Sequence, residues 1–159
     1  MVRNARDTGE VGHRGGFLDH EHGCIGTDRG GEVGDCVARL RGAGIRVSLF
    51  IDPDLPQIEA AAVTGAEMVE LHTGAFANAP GDDVDAEIAR LTEAARAAAG
   101  MELQVNAGHG LNYANLERLF AVPHLAELNI GHSIVARALR VGTTAAVREM
   151  KRAMAAYRG

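Results

Sequence analysis

The sequence predicts an α/β protein in which parallel strands alternate with helices. Short apolar runs rich in β-branched residues alternate with longer helix-forming stretches, and polar residues follow each run at its C-terminal end. This alternation is typical of βαβ units, in a doubly wound sheet or in part of a (β/α)₈ TIM barrel. Because a complete barrel takes about 250 residues, the four units predicted in these 159 residues correspond to about half of one.

The first two βα units are predicted from the glycine and proline residues that end or begin their helices. Residues 35–44 (DCVARLRGAG) predict a short helix ending on glycine, and residues 45–51 (IRVSLFI) predict a β-strand. The turn residues 52–54 (DPD) predict the start of a helix over residues 55–65. The second strand is predicted over residues 67–71.

The remaining elements repeat the same order. Helices with an apolar face are predicted over residues 82–100, 112–120, 133–139 and 143–157, with Gly142 separating the last two. Strands are predicted over residues 101–105 and 127–130. The acidic residues 82–87 match a helix start, where negative charge is stabilised by the helix dipole.

Residues 1–34 differ in character from the rest. They combine Gly, Arg, Asp and His without a helical or strand period, so we expect a disordered or non-homologous segment, followed by a domain over residues 35–159. The cluster His13, His20, His22 and Cys24 matches no strong zinc spacing, so no metal site is predicted there.

The composition narrows the class of protein. A net charge of −5 with scattered arginines argues against nucleic-acid binding. No apolar run approaches the roughly 20 residues of a membrane span, and no signal peptide is evident at the start, so we expect a cytoplasmic protein with no membrane partner. Cys24 and Cys36 lack CxxC spacing and are expected to be reduced thiols.

Chemistry-bearing residues cluster at three predicted strand ends. Residues 68–74 (MVELHTG) contain Glu70 and His72, residues 105–110 (VNAGHG) contain His109, and residues 128–132 (LNIGH) end in His132. Glycine permits close approach of a ligand to the backbone, and the pKa range of histidine suits proton transfer near neutral pH. Since the carboxyl ends of parallel strands form one edge, these residues predict one shared site.

These segments, together with residues 47–52 (VSLFID) and 146–151 (AVREMK), carry a resemblance to a known family. From about Asp35 to Gly159 the chain resembles the C-terminal half of pyridoxine 5'-phosphate synthase, with the motifs in the same order and at similar spacing. The resemblance implies a (β/α)₈ barrel that assembles into octamers. It also implies a transferase of vitamin B6 biosynthesis that condenses 1-deoxy-D-xylulose 5-phosphate with 3-amino-2-oxopropyl phosphate and consumes no cofactor.

The resemblance also implies roles for single residues. Glu70 corresponds to the carboxylate that stabilises the transition state, and His109 to the proton donor that helps to expel water or phosphate. Gly110, Gly131 and His132 correspond to residues that bind a phosphate-bearing substrate. Glycine N–H groups at strand-to-helix turns are a physically reasonable anion site.

The chain departs from this family before Asp35, where the first four strands and their site residues have no clear counterpart. Only residues 2–8 (VRNARDT) resemble a segment of the family, an arginine-containing one after its first strand, which makes Arg6 a candidate remnant of that segment. We hypothesise that residues 1–34 arose by an internal deletion or a shifted reading frame. A truncated chain of this kind is expected to have half of the family's site and to be inactive if that half is insufficient.

Two other functions stay open at this point. A metal-dependent barrel hydrolase would use His72, His109 and His132 as ligands and Glu70 as base. A non-catalytic half-barrel would instead pair with itself or with an intact synthase. The site residues also have structural interpretations: His72 as a packed or hydrogen-bonded histidine, His109 as an exposed turn residue, His132 as a helix cap, and Gly108, Gly110 and Gly131 as tight-turn glycines.

Overall fold

A computed structural model describes residues 8–10, 30–81 and 83–158 of this chain. These residues contain a parallel five-stranded sheet in which spatial order follows chain order. The strands are β1 (Thr8–Glu10), β2 (Arg46–Ile51), β3 (Met68–His72), β4 (Gln104–Gly108) and β5 (Leu125–Asn129). The helices are α1 (Gly30–Gly42), α2 (Leu55–Val63), α3 (Gly74–Asn78), α4 (Asp83–Gly100), α5 (Leu116–Leu119), α6 (His132–Val141) and α7 (Thr143–Met154). The predicted α/β class with parallel strands is confirmed.

Part of residues 1–34 has regular structure, which the expectation of disorder did not include. Thr8–Glu10 forms β1, with Gly9 opposite Val47 in β2, and α1 begins at Gly30 instead of Asp35. A three-residue strand joins the edge of β2 through backbone hydrogen bonds, which need no apolar period and leave little trace in a sequence. The division of the chain at residue 34 stays a prediction. The candidate residues Arg6, His13, His20, His22 and Cys24 lie outside the described residues.

The strand after α4 begins three residues later than predicted, at Gln104 instead of Met101. The helix ends in a Schellman-type cap, in which the Leu103 N–H donates to Ala98 O at 3.1 Å and the Glu102 N–H donates to Ala99 O at 3.1 Å. Glu102 has the left-handed φ of 62° that this cap requires. Glycine usually occupies this position, and its absence here removes the usual sequence signal for such a cap.

The start of α2 matches the prediction from the DPD turn. Asp54 has an extended backbone, and its Oδ1 accepts a hydrogen bond from the Gln57 N–H at 3.0 Å. Proline follows at the second helical position, where its missing N–H costs nothing. This cap ends the segment after β2 and leaves Asp52 at the carboxyl end of that strand.

One face of the sheet packs against helices. Side chains alternate along each strand, so Val47, Leu49, Ile51, Val69, Leu71 and Val105 lie in one buried cluster with helix residues such as Val37, Ile58, Leu91 and Met150. The helices pack their apolar faces on the sheet, in agreement with the helical spacing of their apolar residues in the sequence. No described helix is both long and apolar enough to cross a membrane.

Helices α6 and α7 are joined by an ion pair. Arg137 Nε lies 2.8 Å from Glu149 Oε2, and its Nη2 lies 3.2 Å from Oε1. The hydrogen bond from Arg137 lowers the pKa of Glu149, and the hydrogen bond to Glu149 raises the pKa of Arg137. The pair holds α6, which begins directly after β5, against α7.

The buried position of Leu91 gives a test of this packing. Leu91 is 1% exposed in α4, so Leu91→Ala should lower the free energy of unfolding by about 2–5 kcal/mol by leaving a cavity. Val63→Ala is the matched control, because Val63 of α2 is 87% exposed and the change should stay within about 0.5 kcal/mol. Urea unfolding followed by circular dichroism measures both. Equal effects of the two substitutions would contradict the packing.

Candidate active site

The sheet face opposite the helices carries polar residues near the carboxyl ends of the strands. In the parallel register Phe50 lies opposite Glu70, Glu70 opposite Asn106, and His72 opposite Gly108. Asn129 of β5 lies opposite Gly108. The register therefore brings Glu70 and His72 of one predicted strand end beside β4 and β5.

Glu70 lies across β4 because Gly108 has no side chain. A Cβ atom at residue 108 would lie only 1.9 Å from Glu70 Oε1, so any side chain there would displace the carboxylate. The other carboxylate oxygen, Oε2, accepts a hydrogen bond from Asn129 Nδ2 at 2.5 Å. A half-buried carboxylate on the sheet face is thus held by an amide donor, which offsets the cost of its partial burial.

His72 is buried at the end of β3 and contacts residues of two neighbouring strands. Its Nδ1 lies 3.3 Å from Asp52 Oδ1. Its ring meets Phe50 edge-on at a centroid distance of 5.1 Å and the ring of His109 at 4.7 Å, tilted by 50°. His72 is therefore packed and paired at this edge of the sheet, and it also adjoins His109.

The loop after β4 carries His109 and Gly110 in left-handed backbone conformations, with φ values of 81° and 76°. A residue with a side chain adopts this conformation at a cost of about 1–3 kcal/mol, so neighbouring contacts must hold the loop in place. Thr73 is fully buried, and its Oγ1 lies 2.6 Å from both Gly108 O and His109 O. A Cβ at Gly110 would lie 2.5 Å from the Cβ of Ala77. This loop is therefore held against the end of β3 and the start of α3.

Gly131 and His132 lie where β5 leads into α6. Gly131 is the N-cap residue and His132 the first residue of the helix, and both are exposed. Ser133 Oγ donates to Leu111 O at 2.9 Å, which ties the start of α6 to the loop that contains His109 and Gly110. This hydrogen bond joins the residue after Gly110 to the residue after His132, and so links the two predicted substrate-binding segments.

The metal-hydrolase alternative requires three histidine ligands around one ion. Within the described ranges no group of three or more His, Cys, Asp or Glu side chains is arranged to hold a metal ion. His72 and His109 come together, but His132 does not complete a ligand set with them. The structure therefore gives this alternative no support.

Sequence reasoning missed four residues that organise the site. Asp52 belongs to the predicted turn over residues 52–54, although its place directly after an apolar strand also puts it at the same edge. Thr73, Asn129 and Ser133 lie inside or next to the three strand-end motifs. Their spacing in the sequence does not indicate their hydrogen-bond partners, which are Gly108, Glu70 and Leu111 respectively. Those contacts depend on strand order and register.

Comparison with known protein families assigns this chain to a family. The sequence model of one family, described as pyridoxal phosphate biosynthesis protein PdxJ, matches residues 16–156. This chain belongs to the PdxJ family. The match begins before Asp35, so the similarity that the family model detects extends further than the motifs alone indicated.

Curated relatives of this PdxJ chain are named pyridoxine 5'-phosphate synthase. The protein of Akkermansia muciniphila is 58% identical over 124 residues, covering 77% of this chain and 50% of the relative. Those of Prochlorococcus marinus and Magnetococcus marinus are 55% and 54% identical, covering 77% of this chain and 50% and 51% of the relatives. The chain thus spans about half the length of the curated relatives it matches.

The close approach of Glu70 to Gly108 predicts that a side chain at residue 108 disturbs the site. Gly108→Ala should push the Glu70 carboxylate away from Asn129 and lower the free energy of unfolding by about 1–3 kcal/mol. The Asn129 side-chain amide signal in an NMR spectrum, together with urea unfolding, measures both effects.

Gly34→Ala in the PdxJ chain is the matched control. A Cβ at residue 34 would meet nothing within 4 Å, and alanine in a helix should stabilise by about 0.5–1 kcal/mol. An unchanged Asn129 signal in Gly108→Ala would contradict the described position of Glu70.

Proposed function

We propose that this chain acts as a pyridoxine 5'-phosphate synthase in vitamin B6 biosynthesis. The proposed reaction condenses 1-deoxy-D-xylulose 5-phosphate with 3-amino-2-oxopropyl phosphate, without a cofactor. The proposal rests on one observation: Glu70, His109 and the start of α6 lie at the same edge of the sheet in a chain of the PdxJ family. Hydrogen bonds link Glu70 to Asn129 of β5 and the loop after β4 to Ser133 of α6. We also keep the prediction that the protein works in the cytoplasm and does not bind nucleic acid.

The strand order supports the further proposal that the sheet is part of a (β/α)₈ barrel. The described strands follow chain order without a reversal, whereas a doubly wound sheet has a switch point where the order reverses. The polar face that carries Glu70 then corresponds to the barrel interior. Barrel enzymes have their sites at the carboxyl ends of strands, where Glu70, His109 and Gly131 lie.

Glu70 suits the stabilisation of positive charge that develops on the amine-bearing substrate. Its carboxylate is held by Asn129 at 2.5 Å, so it is already oriented before the substrate binds. Charged groups fixed in advance stabilise a transition state without the cost of reorganising. We therefore propose that Glu70 is the transition-state carboxylate.

His109 suits proton donation to a departing oxygen. Its exposed ring stands at the end of β4, and Thr73 holds its backbone. When the C–O bond of the leaving water or phosphate breaks, His109 donates a proton to that oxygen. General acid help of this kind contributes about 10²–10⁴-fold to a rate.

The proposed phosphate site comprises Gly110, Gly131 and His132. The N-terminus of α6 carries backbone N–H groups with no partner inside the helix, and its dipole favours an anion. Gly110 lies on the loop that is tied to this helix through Ser133 and Leu111. Exposure of Gly131 and His132 leaves this corner accessible to a phosphorylated substrate.

The proposed activity is tested with the purified chain and both phosphorylated substrates. We expect pyridoxine 5'-phosphate to form, and we expect Glu70→Gln and His109→Gln each to lower kcat by about 10²–10⁴-fold. Chromatography with fluorescence detection measures the product.

Glu93→Gln is the control for removal of a carboxylate, because Glu93 is exposed on α4 and should leave kcat unchanged. A folded sample that forms no product, or variants as active as the parent chain, would overturn the proposed function.

We propose in addition that the chain is a homo-oligomer, with an apolar stripe of α6 in the interface. Val135 and Leu139 are one helical turn apart and are 62% and 86% exposed, and no residue of α6 is buried. An apolar stripe of this kind is typical of an interaction surface. Leu139→Glu should dissociate the oligomer in sedimentation velocity, whereas Val63→Glu, at a side chain that is 87% exposed on α2, should not. A parent chain that sediments as a monomer would contradict the proposal.

A further inference from the structure

Asp52, His72 and His109 form a continuous row at the carboxyl ends of three neighbouring strands. Asp52 directly follows β2, His72 ends β3, and His109 follows β4. Asp52 Oδ1 lies 3.3 Å from His72 Nδ1, and the His72 and His109 ring centroids are 4.7 Å apart. The parallel register aligns these strand ends, since His72 lies opposite Gly108, the residue before His109.

The contact with Asp52 favours one tautomer and one orientation of the His72 ring. A carboxylate only accepts hydrogen bonds, so a hydrogen bond between these two side chains needs the proton on Nδ1 of His72. In the neutral ring the lone pair is then on Nε2. The Asp52 side chain is 37% exposed and that of His72 only 10%, so the imidazole is enclosed while the carboxylate remains partly hydrated.

The His72 ring has close neighbours on several sides. Phe50 meets the ring edge-on at 5.1 Å. A Cβ at Gly74 would lie 2.7 Å from His72 Cε1 and 3.2 Å from His109 Cδ2, so the backbone at the start of α3 lies close to both imidazoles. The enclosed His72 ring thus packs against one side of the exposed His109 ring.

We propose that Asp52 is a positioning residue for His109 and acts through His72. Asp52 fixes the tautomer and the direction of the His72 ring, and the His72 ring fixes the direction of His109 towards the site. The catalytic consequence rests on the proposed function, in which His109 donates a proton. The orientation of the two histidine rings by Asp52 does not depend on whether the chain turns over substrate.

Nitrogen-15 NMR of the histidine rings tests the proposal without any substrate. In the parent chain, neutral His72 should be in the Nδ1–H form. Asp52→Ala should shift the Nδ1–H to Nε2–H ratio by about tenfold, as loss of a hydrogen bond to a charged group predicts, and should move the ring signals of His109. Asp52→Asn, whose amide oxygen can accept in the same place, should restore most of both.

Asp54→Ala is the matched control. It removes a carboxylate two positions away and the N-cap of α2, at a stability cost of about 1 kcal/mol, and it should leave both histidines unchanged. Parent His72 in the Nε2–H form would overturn the proposal, and this measurement needs no variant to fold. Movement of the His109 signals by Asp52→Ala no greater than by Asp54→Ala would also overturn it.

Activity separates this proposal from the proposed function. If the parent chain is active, Asp52→Ala should lower kcat about tenfold and leave KM unchanged, because Asp52 does not touch substrate; an unchanged kcat would contradict its role. If the parent chain is inactive, the proposed function fails, and the NMR result alone decides whether Asp52 positions His109.

Discussion

The candidate site depends on the register of β3 against β4. In this register Glu70 lies opposite Asn106 and His72 opposite Gly108, so the carboxylate extends over the one residue of β4 that leaves room for it. A slip by one residue would turn Glu70 and His72 towards the helices and bring Val69 and Leu71 to the polar face. The cost of exposing those apolar side chains and burying a carboxylate among helices fixes the register. Thr73 adds to this, since its N–H and its hydroxyl both contact Gly108 O.

The same register explains how a small parallel sheet has two unlike faces. The helix-covered face supplies stability, because Val47, Val69 and Val105 are almost fully buried there. The opposite face carries a polar network in which Gln104 contacts Arg46, Asn106 and Glu127 at 2.9–3.3 Å. Towards the carboxyl ends, the network gives way to Glu70, His72 and the His109 loop. Stability and the candidate chemistry therefore depend on alternate residues of the same strands.

Much of this arrangement could be predicted from the sequence. Apolar runs and glycines gave the order of strands and helices from residue 35 onward, and the DPD turn gave the start of α2. The residues of the three strand ends were identified, and the chain proved to belong to the family that they resemble. What could not be predicted depends on non-local contacts or on weak local signals. Strand β1 has no apolar pattern, α3 is only five residues long, and the cap at Glu102 uses no glycine. The roles of Asp52, Thr73 and Asn129 follow only once strands are placed side by side.

Binding of the reaction product tests most directly whether these strand ends form one site. Titration of the nitrogen-15 labelled chain with pyridoxine 5'-phosphate should perturb amide signals at His109, Gly110, Gly131 and His132 together, with one common dissociation constant. The Glu70–Asn129 side chains should respond with the same constant, because they share the sheet edge. Perturbations confined to one of these loops, constants that differ between them, or no perturbation in a folded sample would contradict the central claim that β3, β4 and β5 build a single phosphate-binding site.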